Sequence, residues 1–242
     1  MIRRHVEHVM GMPVSLAQRG RHADDTAAWE QVLAELRHVD AVFSTYRPES
    51  VISRLGRGEI TEDECPPEVH EVLALARRAE RASGGAFSAW RDGALDPSGV
   101  VKGWAVERAA APLSALADTD FCLSAGGDMV CRGLEQPWRI GIEDPHDHTR
   151  VLATLDVRVG AVATSGTSRR GQHIADARTG RPPTAVASVT VVAGRLTWAD
   201  IDATAAYAQG ADAAAWLGHR VGRTGLVVWA DGSTTTVGGT AP

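Results

Sequence analysis

The sequence contains few cysteines and no long apolar run, which excludes two broad classes of protein. Only three of the 242 residues are cysteine, an odd number whose spacing fits neither a disulfide framework nor a zinc ribbon. No stretch approaches the roughly 20 consecutive apolar residues of a membrane-spanning helix. The N-terminal stretch MIRRHVEHVMGMPVSL has neither the apolar segment of an export signal nor a lipid-attachment cysteine. These absences predict a cytoplasmic protein without membrane insertion, in which Cys122 and Cys131 are plain buried thiols.

An excess of positive charge is also absent. The chain has 25 Lys and Arg against 30 Asp and Glu, a formal net charge of -5. This charge argues against a general nucleic-acid-binding protein, which needs a basic surface, but it allows a basic pocket for one phosphorylated ligand. Hydrophobic residues make up 44% of the chain, enough to build a core. Because no internal repeat or low-complexity linker interrupts the chain, we expect one domain over residues 1–240.

Helical patterns dominate the first half of the chain and β-rich segments the second. This arrangement predicts an α+β fold, with mixed or antiparallel sheets packed with helices. Asp24 or Asp25 would cap the first helix. Apolar residues at helical spacing predict helices over residues 23–43, 66–85, 102–116, 197–209 and 211–219. Strands are predicted over residues 2–18 with an interruption at 11–13, and over 121–125, 138–142, 151–159, 161–165, 188–192, 225–230 and 233–239.

Residues 94–110, ALDPSGVVKGWAVERAA, place small residues and a lysine at the predicted start of a helix. A P-loop has four residues between its first Gly and the Gly-Lys pair, and a Ser or Thr after the Lys. Here Gly99 is only three residues before Lys102, and Gly103 and Trp104 follow, so the P-loop is excluded. A helix N-terminus still favours anions, and a lysine adds charge. The segment therefore indicates either an anion site or an ordinary surface lysine.

Two later segments contain side chains suited to catalysis or metal binding. Asp200 and Thr204 share one face of the predicted fourth helix, whereas Asp202 points away from it. A carboxylate and a hydroxyl suit Mg²⁺, although an Asp near a helix N-terminus also stabilises the helix by itself. His173 follows a hydroxyl-rich strand end at residues 164–166 and is a candidate general base, with a structural histidine as the alternative.

Two other motifs favour ordinary structural interpretations. Residues 124–133, SAGGDMVCRG, are more typical of a tight hairpin turn than of a ligand loop. Residues 143–149, EDPHDHT, lack the further ligands that tetrahedral zinc requires, so a solvated loop is predicted.

The order of the motifs is more specific than any one of them, and it resembles the FAD:protein FMN transferase family, also called the ApbE family. The resemblance extends from residue 10 to 210 and rests on MGMPVSL, FSTYRPESVISRL, GGAFSAW, LDPSGVVKGWAVERAA, LSAGGDMVCRG, WRIGIEDP, ATSGTSRRGQHIADARTGRPP, SVTVVAG and ADIDATAAYAQG. It implies an ApbE-like fold and a Mg²⁺-dependent enzyme that splits FAD, attaches FMN to a Ser or Thr hydroxyl of an acceptor flavoprotein and releases AMP. The alternatives are an FAD pyrophosphatase and an FAD-binding carrier or sensor without turnover.

The resemblance also implies roles for individual residues. Magnesium would be held by the carbonyl of Gly99 and the side chains of Asp200 and Thr204. His173 would act in acceptor activation, and Lys102 would add a cation beside the pyrophosphate. Contacts to FAD are implied for Met10, Tyr46, Ala86, Phe87, Ser88, Asp96, Lys102 and Ala175.

The sequence departs from the family pattern in several places, among them a segment between GAFSAW and LDPSG that is shorter than in many members. Ser88 stands where an Asp is common, and Ala175 and Ala177 replace the usual Ile and Pro. The export signal and lipidation cysteine of the periplasmic members are missing, so we expect a cytoplasmic acceptor protein.

Overall fold

The α+β class predicted from the sequence is confirmed. The structure is a computed structural model that describes residues 1–91, 93–166 and 174–238. Its strands are β1 (Arg3–Val9), β2 (Met12–Gly20), β3 (Trp90–Arg91), β4 (Ala94–Leu95), β5 (Thr119–Ala125), β6 (Asp128–Arg132), β7 (Trp138–Asp144), β8 (Asp147–Val157), β9 (Val159–Gly166), β10 (Val186–Ala193), β11 (Thr224–Trp229) and β12 (Thr234–Val237). Its α-helices are α1 (Thr26–Phe43), α2 (Val51–Gly56), α3 (Pro67–Ala82), α4 (Ser98–Ala109), α5 (Ala111–Ala115), α6 (Leu196–Ala208) and α7 (Ala213–Gly218).

One eight-stranded sheet organises the molecule, in the order β1-β2-β5-β6-β9-β10-β11-β12. The paired neighbours in it run antiparallel. Because side chains alternate along a strand, each strand contributes to both faces of the sheet. On β5, Phe121 and Leu123 belong to the main core with the helices, whereas Cys122 packs on the opposite face. The hairpin of β7 and β8 covers that second face, where Trp138 and Ile140 form a smaller apolar cluster.

Several predicted helix boundaries are confirmed to within a few residues. Asp25 caps α1 by accepting hydrogen bonds from the backbone N–H groups of Ala27 and Ala28, at 2.9 and 3.4 Å. Helix α3 begins at Pro67, a position where proline loses no helical hydrogen bond. Among the described residues, none of the helices is both long and apolar enough to cross a bilayer.

Two predictions about local structure are wrong. The chain over residues 2–18 is not one interrupted strand, because Met10 and Gly11 adopt positive φ angles of 55° and 68° and turn it into the β1–β2 hairpin. The third predicted helix begins at Ser98 and not near Lys102. Pro97 stands immediately before the helix, where its fixed φ is compatible with a helix start. Lys102 therefore lies in the second turn of α4 and not at its positive end.

Candidate active site

A cavity of about 360 Å³ opens where α4 and α6 meet the ends of β6 and β9. Its described walls include the first turns of α4, one face of α6, the β5–β6 turn, the end of β9 at residues 164–166, and the loops around residues 86–88 and 174–177. The β7 strand also contributes, through residues 141–143. Glycines and small hydroxyl residues dominate several of these walls, so a ligand can approach the backbone closely.

Close packing of α4 on α6 brings the polar side chains of the cavity together. Gly103 has no side chain, and an added Cβ would lie 2.7 Å from Cβ of Asp200. One turn earlier, an added Cβ on Gly99 would lie 2.9 Å from the Phe87 ring and 3.9 Å from Cγ2 of Thr204. The two glycines of α4 thus face Asp200 and Thr204, which are one turn apart on α6. The three residues with implied metal roles, Gly99, Asp200 and Thr204, consequently line the same corner of the cavity.

Lys102 lies between two buried carboxylates. Its Nζ is 2.5 Å from Oδ2 of Asp128 and 3.2 Å from Oδ1 of Asp200. The second oxygen of Asp200 accepts the backbone N–H of Gly103 at 2.9 Å, and Oδ1 of Asp128 accepts the N–H of Thr164 at 3.0 Å. The three side chains of this cluster come from three elements of the fold: Lys102 from α4, Asp128 from β6 and Asp200 from α6.

The cluster shifts the pKa values of two of its members. Burial alone would lower the pKa of Lys102, but the adjacent Asp200 and Asp128 carboxylates raise it above its ordinary value. Burial and the nearby Asp128 raise the pKa of Asp200 to about 7, against the opposing effects of Lys102 and the Gly103 N–H. With both carboxylates ionised, the cluster carries one net negative charge. A buried negative charge beside oxygen ligands suits a hard divalent cation.

Hydroxyl groups extend the polar wall from the cluster across the end of β9. Oγ of Ser165 and Oγ1 of Thr204 are 3.0 Å apart, and Oγ1 atoms of Thr164 and Thr190 are 2.9 Å apart. Ser165 is buried and lines the cavity next to Thr164. The Thr204 hydroxyl is therefore oriented by a neighbour on the sheet, which leaves at least one of its lone pairs available for a cation.

Five further residues with implied FAD contacts line the cavity: Ala86, Phe87, Ser88, Asp96 and Ala175. Asp96 accepts the backbone N–H of Ser98 at 3.0 Å and so helps to begin α4. The hydroxyl of Ser88 accepts the N–H of Trp90 at 3.1 Å. A backbone hydrogen bond of 3.0 Å from Ala177 to Ala86 joins the two loops. These loops form one continuous side of the cavity.

The structure places the remaining predicted residues differently. Met10 lies in the β1–β2 turn, half-buried against the main core, and Tyr46 is 95% exposed. Neither is found among the described residues that line the cavity. His173 lies outside the described residues, between Gly166 and Ile174, which both line the cavity.

Three polar or aromatic residues at or directly behind the cavity wall were not predicted from the sequence: Asp128, Ser165 and Trp90. Asp128 follows the Gly126–Gly127 turn directly, and an acid at that place was the available signal. Ser165 and Trp90 stand inside quoted motifs but were given no role, although Trp90 is a 54% exposed aromatic at the cavity wall. The segment with residues 143–149 forms the end of the β7–β8 hairpin. The described residues contain no group of three or more His, Cys, Asp or Glu side chains that could hold a metal.

Comparison with known proteins identifies related chains. The profile of the ApbE family matches residues 10–92 and 89–226. An FAD:protein FMN transferase of Rhodobacter capsulatus is 31% identical over 201 residues, which cover 78% of this chain and 36% of that relative. One from Vibrio cholerae is 36% identical over 111 residues, covering 40% of this chain and 33% of the relative. The chain thus spans about a third of the length of these curated relatives.

Solved structures with the same fold cover nearly all of the chain. The ApbE protein of Thermotoga maritima superimposes with a TM-score of 0.87 at 22% identity, covering 98% of this chain and 97% of that one. The flavin transferase ApbE of Vibrio cholerae gives a TM-score of 0.81 at 23% identity, with 98% of both chains covered. At these identities the likeness establishes the fold.

Proposed function

Because the chain belongs to the ApbE family, we propose that it is a Mg²⁺-dependent FAD:protein FMN transferase. It would split the pyrophosphate of FAD, attach FMN to a Ser or Thr hydroxyl of an acceptor flavoprotein and release AMP. The observation that carries the proposal is the meeting of Lys102, Asp200 and Thr204 in one cavity, with the buried Asp128 paired to Lys102 behind them. A pyrophosphate needs concentrated positive charge and a metal, and this corner offers a lysine together with oxygen ligands.

The donor set of the cavity fits magnesium. Asp200, the hydroxyl of Thr204 and the backbone of Gly99 would hold the ion, in agreement with the preference of Mg²⁺ for few protein oxygens and remaining waters. When bound, the ion would neutralise the pyrophosphate and polarise the phosphorus under attack. With both carboxylates ionised, the cluster of Lys102, Asp128 and Asp200 carries one net negative charge, which supports this assignment because a buried charge in excess of its partners is costly until a cation neutralises it.

The chain's own residues would bind the substrate and move one proton. Lys102, kept charged by its two carboxylates, would contact the pyrophosphate oxygens. The acceptor hydroxyl forms a new bond to the phosphorus of the FMN half, while the bond from that phosphorus to the bridging oxygen breaks and AMP leaves. His173 would take the proton of the attacking hydroxyl. Its place in the chain supports this role, since the next residue, Ile174, lines the cavity.

A direct test combines the protein with FAD, Mg²⁺ and a candidate acceptor flavoprotein domain. The products are separated on a denaturing gel and examined for flavin fluorescence, and AMP is measured in the same reaction. We expect a fluorescent acceptor band and one AMP for each flavin attached. An acceptor whose candidate Ser or Thr residues are replaced by Ala should stay dark. If FMN and AMP accumulate free and no band forms, the protein is an FAD pyrophosphatase. If FAD binds without being cleaved, it is a carrier or sensor.

The acceptor, the cytoplasmic location and the single domain over residues 1–240 stay predictions. Ser88 in place of the common Asp is proposed to alter the contact with the adenosine half of FAD.

A further inference from the structure

The β5–β6 hairpin brings two of the three cysteines together. Gly126 and Gly127 adopt positive φ angles of 59° and 101° and form its turn, so Ala125 pairs with Asp128. Three residue pairs further along the ladder, Cys122 is directly opposite Cys131. The register of the turn alone therefore determines that these two thiols face each other on one side of the sheet.

The two sulfur atoms are already close. Sγ of Cys131 lies 3.5 Å from Sγ of Cys122, with the Cys131 S–H donating, and both cysteines are free thiols. Opposed residues of an antiparallel pair have Cα atoms about 4.5–5.5 Å apart, within the range of about 4.4–6.8 Å that a disulfide spans. A small rotation of the side chains can thus bring the sulfurs to bonding distance without moving the strands.

The surroundings make Cys122 the more reactive thiol. It is half-buried, whereas Cys131 is only 2% exposed. The hydrogen bond from Cys131 lowers the pKa of the Cys122 thiol, with a smaller contribution from Arg4, and it raises the pKa of Cys131. Arg4 reaches this place because it pairs with Ala17 across β1 and β2, and Ala17 pairs with Cys122. A thiolate next to a second thiol is the arrangement that exchanges disulfides.

The third cysteine has a different environment. Cys65 is buried, and burial together with the nearby Glu62 and Glu64 raises the pKa of its thiol. It has no cysteine partner among the described residues. Cys65 is therefore an internal control for the chemistry of the pair.

We propose that Cys122 and Cys131 form a reversible disulfide site that reacts with small-molecule disulfides. The Cys122 thiolate attacks one sulfur of the small disulfide, forming a mixed disulfide and releasing the first small thiol. Cys131 then attacks Sγ of Cys122, closes the internal bond and releases the second small thiol, its proton passing to solvent or to that thiol. The two cysteines are oxidised by two electrons and the small disulfide is reduced. This inference does not depend on the proposed transferase activity.

The disulfide would close a short loop around the β5–β6 turn, which forms part of the cavity wall. The loop contains Gly126 and Gly127, which line the cavity, and Asp128, which holds Lys102. Oxidation would thereby tie together the two strands that carry this wall. In a reducing compartment such a bond is transient, as is usual for redox-responsive cysteine pairs.

The test uses the purified full chain and oxidised glutathione as the probe. After exposure, the protein is denatured, free thiols are alkylated, and trypsin releases both cysteines in one peptide, residues 109–132. We expect this peptide to be two hydrogen atoms lighter and not alkylated, with Cys65 alkylated, and dithiothreitol to restore both thiols. Cys65→Ser should behave as the unmodified chain does. Cys131→Ser should instead retain one glutathione on Cys122.

Three outcomes would overturn the proposal. In the first, oxidised glutathione leaves both thiols of the folded chain free for alkylation, although the same treatment in denaturant forms the Cys122–Cys131 bond. Glutathione could remain on Cys122 although Cys131 is intact. Cys65 could be oxidised before the pair. Circular dichroism before and after exposure establishes that the reaction took place in the folded protein.

Discussion

Gly103 of α4 and Asp200 of α6 are in such close contact that an added Cβ on Gly103 would lie 2.7 Å from Cβ of Asp200 and 2.9 Å from the carbonyl oxygen of Leu196. The glycine is what allows the helix carrying Lys102 to approach the helix carrying the proposed metal ligand. The Gly103 N–H also donates to Asp200, so this residue both admits and orients the carboxylate.

Replacement of Gly103 by alanine should therefore destabilise the protein. In an isolated helix alanine would be favoured by about 1 kcal/mol, but overpacking between two helices costs about 1–3 kcal/mol and displaces Asp200. We expect a lower free energy of unfolding in urea and a loss of FAD cleavage. Gly194→Ala is the control, because no atom lies within 4 Å of an added Cβ there. If the Gly103→Ala and Gly194→Ala variants had equal free energies of unfolding and equal rates of FAD cleavage, the close approach of α4 and α6 would not depend on Gly103.

The neighbouring Asp202 has a structural role and no place in the cavity wall of the described residues. It is fully buried and forms ion pairs with Arg220 at 2.9 Å and Arg223 at 2.7 Å, which fasten α6 to the chain after α7. Removing one partner of a buried ion pair costs about 3–5 kcal/mol. We expect Asp202→Asn to lower the free energy of unfolding by about 3 kcal/mol. The control is Glu59→Gln, which removes an exposed ion pair with Arg57 and should leave the free energy of unfolding close to that of the wild type. A comparable loss of stability in both variants would contradict the structural role of Asp202.

The raised pKa of Asp200 predicts a pH dependence of stability in metal-free buffer. Its folded-state pKa of about 7 lies above the ordinary value of about 3.9. Between these values the folded state binds a proton that the unfolded state lacks, so the free energy of unfolding falls as the pH rises towards 7. The stability of the wild type relative to Asp200→Asn should thus be greater at pH 5 than at pH 8, by on the order of 1 kcal/mol or more. Urea unfolding of both proteins with a chelator, at pH 5 and at pH 8, measures this difference in the free energy of unfolding. If the difference is the same at both pH values, the pKa of Asp200 is not raised.

Trp90 offers an exposed aromatic surface on which a planar ring of FAD can stack. Trp90 is 54% exposed and lines both the cavity and a smaller hollow next to α3. Stacking on an aromatic side chain contributes about 1–3 kcal/mol per base. Trp90→Leu should weaken FAD binding about tenfold, and Trp90→Phe much less, as measured by flavin fluorescence without Mg²⁺. Tyr46→Leu, at a 95% exposed position, should have a smaller effect. A larger effect at Tyr46 than at Trp90 would favour the contact implied by the family resemblance.

The regular elements were predictable because their signals are local. Helix α1 shows its apolar stripe and its Asp25 cap directly in the sequence, and α3 shows Pro67 at its start. The start of α4 was not predictable in this way, because Pro-Ser-Gly is equally compatible with a turn and with a first helical turn. The β1–β2 hairpin was missed since its turn uses Met10, a residue that rarely adopts a positive φ.

The composition of the site was only partly predictable from the sequence. The side-chain spacing of Asp200 and Thr204 is local to one helix, and the structure places both at the cavity. The contact of Asp128 with Lys102 joins residues on a strand and a helix, and no local pattern indicates it. The pairing of Cys122 with Cys131 is predictable from the sequence, because a hairpin whose turn is Gly126–Gly127 places these two residues opposite each other.

The proposed active site is tested most directly by the rate of AMP release from FAD, with Mg²⁺ and an acceptor domain, in the variants Asp200→Asn and Asp120→Asn. Asp200 lies in the cavity, whereas Asp120 is a buried carboxylate paired with Arg19 at 3.0 Å and outside the lining residues described. Loss of one group that stabilises transition-state charge costs about 100- to 1,000-fold in rate. We expect Asp200→Asn to lose at least about 100-fold and Asp120→Asn to remain near the wild-type rate. A folded Asp200→Asn protein that releases AMP at the wild-type rate would contradict the proposed site.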